Sequence, residues 1–163
     1  MSPLTALHAL LDEARVASLA VAADDGPDVS LVPVLVRRSP LAVVLFVSEL
    51  SPHVAALRAR PACALLLRRE LTADDPRDHH ATERVTLHGE ARFLTRDEAR
   101  ARGHDAAWSA RFPRVAPMIL GLNDFHFVEV TPSPRGARLV LGFGRAFHAH
   151  GPDLDTIEPV TGR

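Results

Sequence analysis

Between Leu41 and Leu67 the chain runs from an unbroken apolar segment into a Ser-Pro helix start and back into a second apolar segment, with almost no linker. Few folds accept that arrangement. Leu41 to Val47 is apolar at every position, so it reads as a strand covered on both faces. Ser51 stands where it can cap a short helix with Pro52 as its first residue, Val54 and Leu57 supply the inner face, and Arg60-Pro61 ends it. Ala62 to Arg68 then returns as a strand. A backbone that turns from strand into helix at a serine, with basic side chains nearby, also suits an anion such as a phosphate.

The remaining segments extend this into a small β structure. Ser2-Pro3 opens a helix whose stripe is Leu4, Leu7, Leu10, Leu11 and Ala14. Ala17 to Ala23 and Val29 to Val36 flank Asp24-Asp25-Gly26-Pro27 and predict a hairpin. Leu71 to Ala81 is polar and reads as the longest loop of the first half, a lid or rim. Thr82 to Leu94 alternates as a strand, and Thr95-Arg-Asp-Glu98 is a capping box opening a helical stretch that breaks near Gly103 and reaches towards Phe112. Phe125 to Val130 and Ala137 to Gly142 read as a closing pair of strands joined by residues 131–136, and the tail from about Gly151 as partly disordered. The expected fold is mainly β with flanking helices, one domain over residues 1–163, with six or seven antiparallel strands in a small barrel.

Composition removes several function classes. With 19 Lys+Arg against 20 Asp+Glu there is no general field to attract nucleic acid or an anionic membrane. Every basic residue is arginine, which grips phosphate and carboxylate in a planar fork, but a chain-wide lack of lysine reflects genomic composition rather than site chemistry. Cys63 is the only cysteine, so no internal disulfide forms, and it reads as a buried structural thiol. No apolar run reaches the roughly 20 residues needed to cross a bilayer and the N-terminus has no basic leader, so a soluble cytoplasmic protein is expected. The glycine fingerprints of dinucleotide and triphosphate sites and the serine-hydrolase elbow are missing.

Nine histidines remain to be placed. Asp78-His79-His80 is either a solvated loop or part of a metal site, and no ligand spacing elsewhere supports the metal. His148 and His150 stand two apart, so in extended chain both imidazoles point to one side; they are either incidental histidines of a frayed segment or candidates for an axial ligand to haem iron.

Four segments together resemble the FMN-binding split-barrel proteins related to pyridoxamine 5'-phosphate oxidase, in particular their haem-utilisation (HugZ-type) branch. Val29-Ser30-Leu-Val32-Pro33 is similar to the strand beneath the flavin ring, and Phe46-Val47-Ser48-Glu-Leu-Ser51-Pro-His53 to the start of the phosphate-side helix. Arg84-Val-Thr86-Leu-His-Gly89 is similar to the strand whose arginine faces the cofactor. Arg111-Phe-Pro-Arg114, Leu122-Asn-Asp-Phe125-His-Phe127 and Gly142-Phe143-Gly144-Arg145-Ala-Phe147 are similar to the closing section. The oxidases have Ser-Arg-Lys where this chain has Ser51-Pro52-His53, which removes two fixed charges that a phosphorylated vitamer would meet.

The resemblance implies a homodimeric split β-barrel with FMN at the subunit interface, acting as an oxidoreductase on a small-molecule substrate. Cofactor contacts are expected from Ser30, Val32, Pro33, Phe46, Val47, Ser48, Ser51, His53, Arg84, Thr86, Phe143, Gly144 and Arg145. Ser48, Ser51 and His53 would hold the phosphate, Val32 and Val47 would give the ring an apolar surface, and Arg84 would meet the phosphate, the ring edge or a haem propionate. A strand-surface ion pair is the competing reading of Arg84. No catalytic residue is assigned. The alternatives are a haem-binding or haem-degrading protein using His148 or His150, and a cofactor-binding or redox-sensing dimer without turnover.

Overall fold

A computed structural model describes residues 1–161. Helix α1 (Pro3–Glu13) leads into the hairpin β1 (Val16–Ala23) and β2 (Gly26–Pro33), then β3 (Leu35–Arg37), β4 (Ala42–Ser48), α2 (Pro52–Ala59) and β5 (Ala62–Arg68). A 3-10 turn at His79–Ala81 precedes β6 (Arg84–Phe93), α3 (Arg96–Ala101), α4 (His104–Arg111) and α5 (Ala116–Ile119). Strands β7 (Phe125–Val140), β8 (Ala146–His150) and β9 (Thr156–Pro159) complete the chain. All pairings are antiparallel, in the order β2-β1-β5-β6-β7-β4-β3, with β8 and β9 attached to the far half of β7. The expected mainly β split barrel is thus present, with seven strands along the main path and β8 and β9 beside it among the described residues.

In place of the expected closing pair of strands there is one long strand. Phe125–Val130 and Ala137–Val140 are two halves of a single strand, β7, and both pair with β6. The register steps from Leu87 opposite Ala137 to Gly89 opposite Pro132, so residues 133–136 bulge out against His88. Pro132 and Pro134 have no N–H to give a ladder, and a bulge absorbs them without ending the strand. The Ser133 hydroxyl donates to the His88 carbonyl at 3.2 Å, and Gly136 takes the left-handed conformation at φ 66°. On its other edge β7 pairs with β4 through residues 125–130 and with β8 through residues 137–140.

Strand β4 shows the double burial its sequence implies. Val43, Leu45 and Val47 face the main core, while Val44 and Phe46 face a second, smaller one. The main core joins the sheet to α1 and α2 through fully buried Leu7, Leu11, Leu19, Leu45, Leu65, Leu87 and Leu139. The smaller core is aromatic: Phe46 stacks on Phe127 at 4.3 Å between ring centroids, and Trp108 meets both edge-on. The helix signals also hold. Ser2 caps α1 by accepting from the Thr5 amide, Thr95 and Glu98 form the capping box of α3, and Gly103 at φ 73° separates α3 from α4.

The tail, expected from about Gly151, carries a strand and a buried leucine as far as it is described. Strand β9 pairs with β8, Leu154 is fully buried in the main core, and the Asp153 carboxylate accepts from the Leu41 amide at 2.7 Å. Acidic residues mask a strap whose apolar members, Leu154 and Ile157, pack inwards. Among the described residues no helix is long and apolar enough to cross a membrane.

Candidate functional site

Alternation along the strands gives the sheet an inner face and an outer one. On the outer face Leu31, Ser18, Leu66, Thr86, Arg138, His148 and Glu158 lie in register from β2 across to β9. Val29 and Leu31 are 65% and 73% exposed, an apolar patch at the β2 edge. Small residues follow it, and beside Ala20 and Ala64 lies an open concavity of about 630 Å³ that reaches His88, Ser133 and Arg135. Cys63 lines its rim, and burial pushes that thiol up to about 11.

The histidines gather at the far side of this face. His148 and His150 sit on the same side of β8 with ring centroids 5.5 Å apart. They belong to a paired strand, not to a frayed end. The His148 Nε2–H donates to the Arg135 carbonyl at 3.0 Å, so its Nδ1 keeps a free lone pair. His150 Nδ1 is buried without a partner. His88 titrates below the ordinary histidine value because it is partly buried and because Arg135, Arg138 and His148 crowd it with positive charge.

Arg84 lies further along the same face. Its guanidinium donates to the Thr82 carbonyl at 2.9 Å, and its direct cross-strand partner is Arg68. Together with His79, His80 and Thr82 they line an open basic concavity of about 550 Å³. His80 is held by Asp78, and among the described residues no group of three or more His, Cys, Asp or Glu is placed to hold a metal ion. Phe143, 92% exposed, with Gly144 and Arg145 forms the turn between β7 and β8, whose Gly142 borders Ala81 at the edge of the same concavity.

The start of α2 differs from expectation. Ser51 occupies the cap position, but its side chain makes no capping hydrogen bond. The Ser48 hydroxyl donates to Asp124 at 2.8 Å, and Pro52 has no N–H to offer. Val32 and Val47 turn into the main core and Phe46 into the smaller one, so these side chains offer no surface to a flavin ring. Pro33, at the end of β2, is exposed. The residues brought together are Ser30 and His53, with Ser30 Oγ 3.1 Å from His53 Nδ1. As a phosphate cradle this set does not fit, since its hydroxyls are engaged or apart and its histidine is 7% exposed.

Burial lowers the His53 pKa, and Asp28 opposes the shift only in part. A histidine whose folded pKa lies below its unfolded value of about 6.5 favours folding above that value and loses the contribution as pH falls through the folded pKa. His8 and His88 shift in the same direction. His53→Gln is therefore expected to lower the protein's sensitivity to acid between about pH 7 and pH 5. Thermal midpoints at both pH values read this directly, and an unchanged difference between them would refute it.

Sequence reasoning singled out Arg84, His148 and His150 but not Arg68, His88 and Arg138, which lie on the same face. Their signal was strand alternation: Arg84, Thr86 and His88 share one parity on β6. It also missed a buried pair further along β7, in register with Arg92 and covered by α3 and α4, where His104 Nε2 lies 2.7 Å from a Glu129 carboxylate that also accepts from Arg102.

The antiparallel strands and their flanking helices make a split β-barrel. This chain belongs to the pyridoxamine 5'-phosphate oxidase family, whose model matches residues 4–134. It is 35% identical over 109 residues to the chloroplastic heme oxygenase HOZ of Arabidopsis thaliana, which covers 66% of this chain and 30% of that protein. It is also similar to a heme binding protein from Mycobacterium smegmatis, with 26% identity and a TM-score of 0.72 over 90% of this chain and 57% of that one. HutZ, the heme storage protein of Vibrio cholerae, shares the fold with a TM-score of 0.73 and 19% identity over 85% of this chain and 95% of its own. The chain thus spans well under two thirds of the heme oxygenase and of the mycobacterial protein.

Proposed function

We propose that this protein binds haem on the outer face of β6, β7 and β8 and belongs to the haem-degrading side of its family. The observation that carries the reading is the His148 and His150 pair. The two rings share one side of a paired strand, and His148 already donates one ring N–H to a backbone carbonyl. That second contact is the one that fixes tautomer and ring orientation in a metal-ligating histidine. The likeness to the heme oxygenase and to the mycobacterial heme binding protein supports the same reading. His148 would hold such a group through its remaining ring nitrogen, with the His150 ring alongside.

Haem, when bound, supplies an iron centre able to activate oxygen for oxidative cleavage of its own ring. The chain's own residues do the rest: His148 orients itself through Arg135, Arg138 places a positive charge next to it in register, and Ala20 and Ala64 keep the neighbouring surface flat and apolar. In the same reading a second copy covers the outer face. Val16, Val29, Leu31 and Leu66 are exposed there, and burying such a patch against a twin is the ordinary basis of a closed dimer.

The test is haemin titration followed by desalting, with FMN run in parallel. The wild-type protein is expected to retain a Soret band, and His148→Ala with His150→Ala to weaken haemin binding about tenfold or more and shift the band. An unchanged band in the double variant would refute the ligand assignment, and retained flavin without haemin would return the reading to an FMN oxidoreductase.

A further inference from the structure

Arg68 and Arg84 stand directly opposite each other on β5 and β6. Both face outwards, because Leu67 and Val85, their neighbours in the chain, are fully buried on the inner face. Like charges in that position destabilise an antiparallel pair. Among the described residues nothing offsets them well. Arg84 has no carboxylate partner among the described residues, and Arg68 meets only Glu70, at 3.3 Å between side chains 52% and 69% exposed. Arg145 adds a third exposed arginine on the adjoining turn.

At the mouth of a concavity of about 550 Å³, an anion placed between the two guanidinium groups would offset that repulsion. The two forks come from separate strands roughly 5 Å apart, and each can grip one carboxylate of a ligand that carries two. Arg84 lies two strands from His148 and two residues along, roughly 12 Å by strand geometry, and Arg68 one strand further. An aromatic ligand of porphyrin size lying over His148 reaches both.

We propose that Arg68 and Arg84 form a two-pronged clamp for a ligand bearing two carboxylates, which makes Arg68 a determinant of ligand choice. This rests on the haem reading, in which the two propionates are those carboxylates. The clamp acts by charge and position, independently of the iron ligand.

Haemin and haemin dimethyl ester, in which both carboxylates are masked, are titrated into the wild-type protein and into Arg68→Gln, with Arg38→Gln on another part of the molecule as the control. The wild type is expected to bind haemin about tenfold more tightly than the ester, and Arg68→Gln to lose most of that preference while keeping its affinity for the ester. Arg38→Gln keeps the preference. Equal weakening of both probes by Arg68→Gln, or none, overturns the clamp. Metal-free protoporphyrin separates the two readings, since it has both carboxylates and no iron. If its binding depends on Arg68 in a His148→Ala background, the clamp stands even where the ligand assignment fails; a wild-type protein that binds neither porphyrin overturns both.

Discussion

Replacing Leu154 with alanine is expected to cost about 2–5 kcal/mol of unfolding free energy, the range for deleting a buried leucine side chain from a packed core. The size of the effect follows from position. Leu154 is fully buried among main-core residues that come from the other end of the chain, although it belongs to a segment rich in acidic residues. Its backbone is held at φ 54° by the turn that swings the strap inwards, and the neighbouring Asp153 satisfies the Leu41 amide at 2.7 Å. Asp153→Ala removes that acceptor and is expected to cost about 1–2 kcal/mol more. Denaturant unfolding reads both, with Val160→Ala, at a 54% exposed position, as the control. A loss below about 1 kcal/mol for Leu154→Ala would show that the strap does not seat in the core.

Gly136→Ala is expected to be nearly as damaging, and for a reason that joins stability to function. Gly136 sits at φ 66° in the bulge of β7, and a methyl group there would stand 2.3 Å from the Ala149 carbonyl oxygen and 3.3 Å from His148 Nε2. Backbone cannot yield as a flexible side chain can, so β8 has to move away from β7. The left-handed conformation alone costs an alanine about 1–2 kcal/mol, and the overlap adds about 1–3 kcal/mol. Gly144→Ala isolates the first contribution, since Gly144 has φ 72° with nothing within 4 Å of the added carbon. The expected result is a marked loss of stability in Gly136→Ala, about 1 kcal/mol in Gly144→Ala, and a haemin affinity that falls only in the former. Equal behaviour of the two variants would dismiss the contact with β8 as the cause.

How much of this was legible in the sequence depends on how local the cause is. Thr95 and Glu98, three residues apart, describe a helix start completely, and the unbroken run Leu41 to Val47 describes a strand with two covered faces. The continuity of β7 was not legible. Pro132, Pro134 and Gly136 have the composition of a turn, and only the ladder with β6 turns them into a bulge. The seat of Leu154 was not legible for a similar reason, since Asp153, Asp155 and Glu158 outweigh it in any local measure of polarity. At the candidate site, single residues with distinctive chemistry were visible, but face was not assigned. Val32 and Val47 were expected at the surface, whereas the strand parity that buries Val32 exposes Val29 and Leu31. Arg68 acquires meaning only beside Arg84, which is distant in sequence and opposite in register.

The aromatic cluster under the near half of β7 gives the protein an optical reporter of its own. Trp108 is the only tryptophan in the chain and stands 1% exposed against Phe46, Phe112 and Phe127, in a core separate from the one beneath the sheet. Its emission therefore tracks the seating of α4 on the barrel rather than the barrel itself, whereas far-ultraviolet dichroism follows the strands. Divergence of the two signals during denaturation would register the helical layer peeling away first, with the histidine-bearing strands still in place.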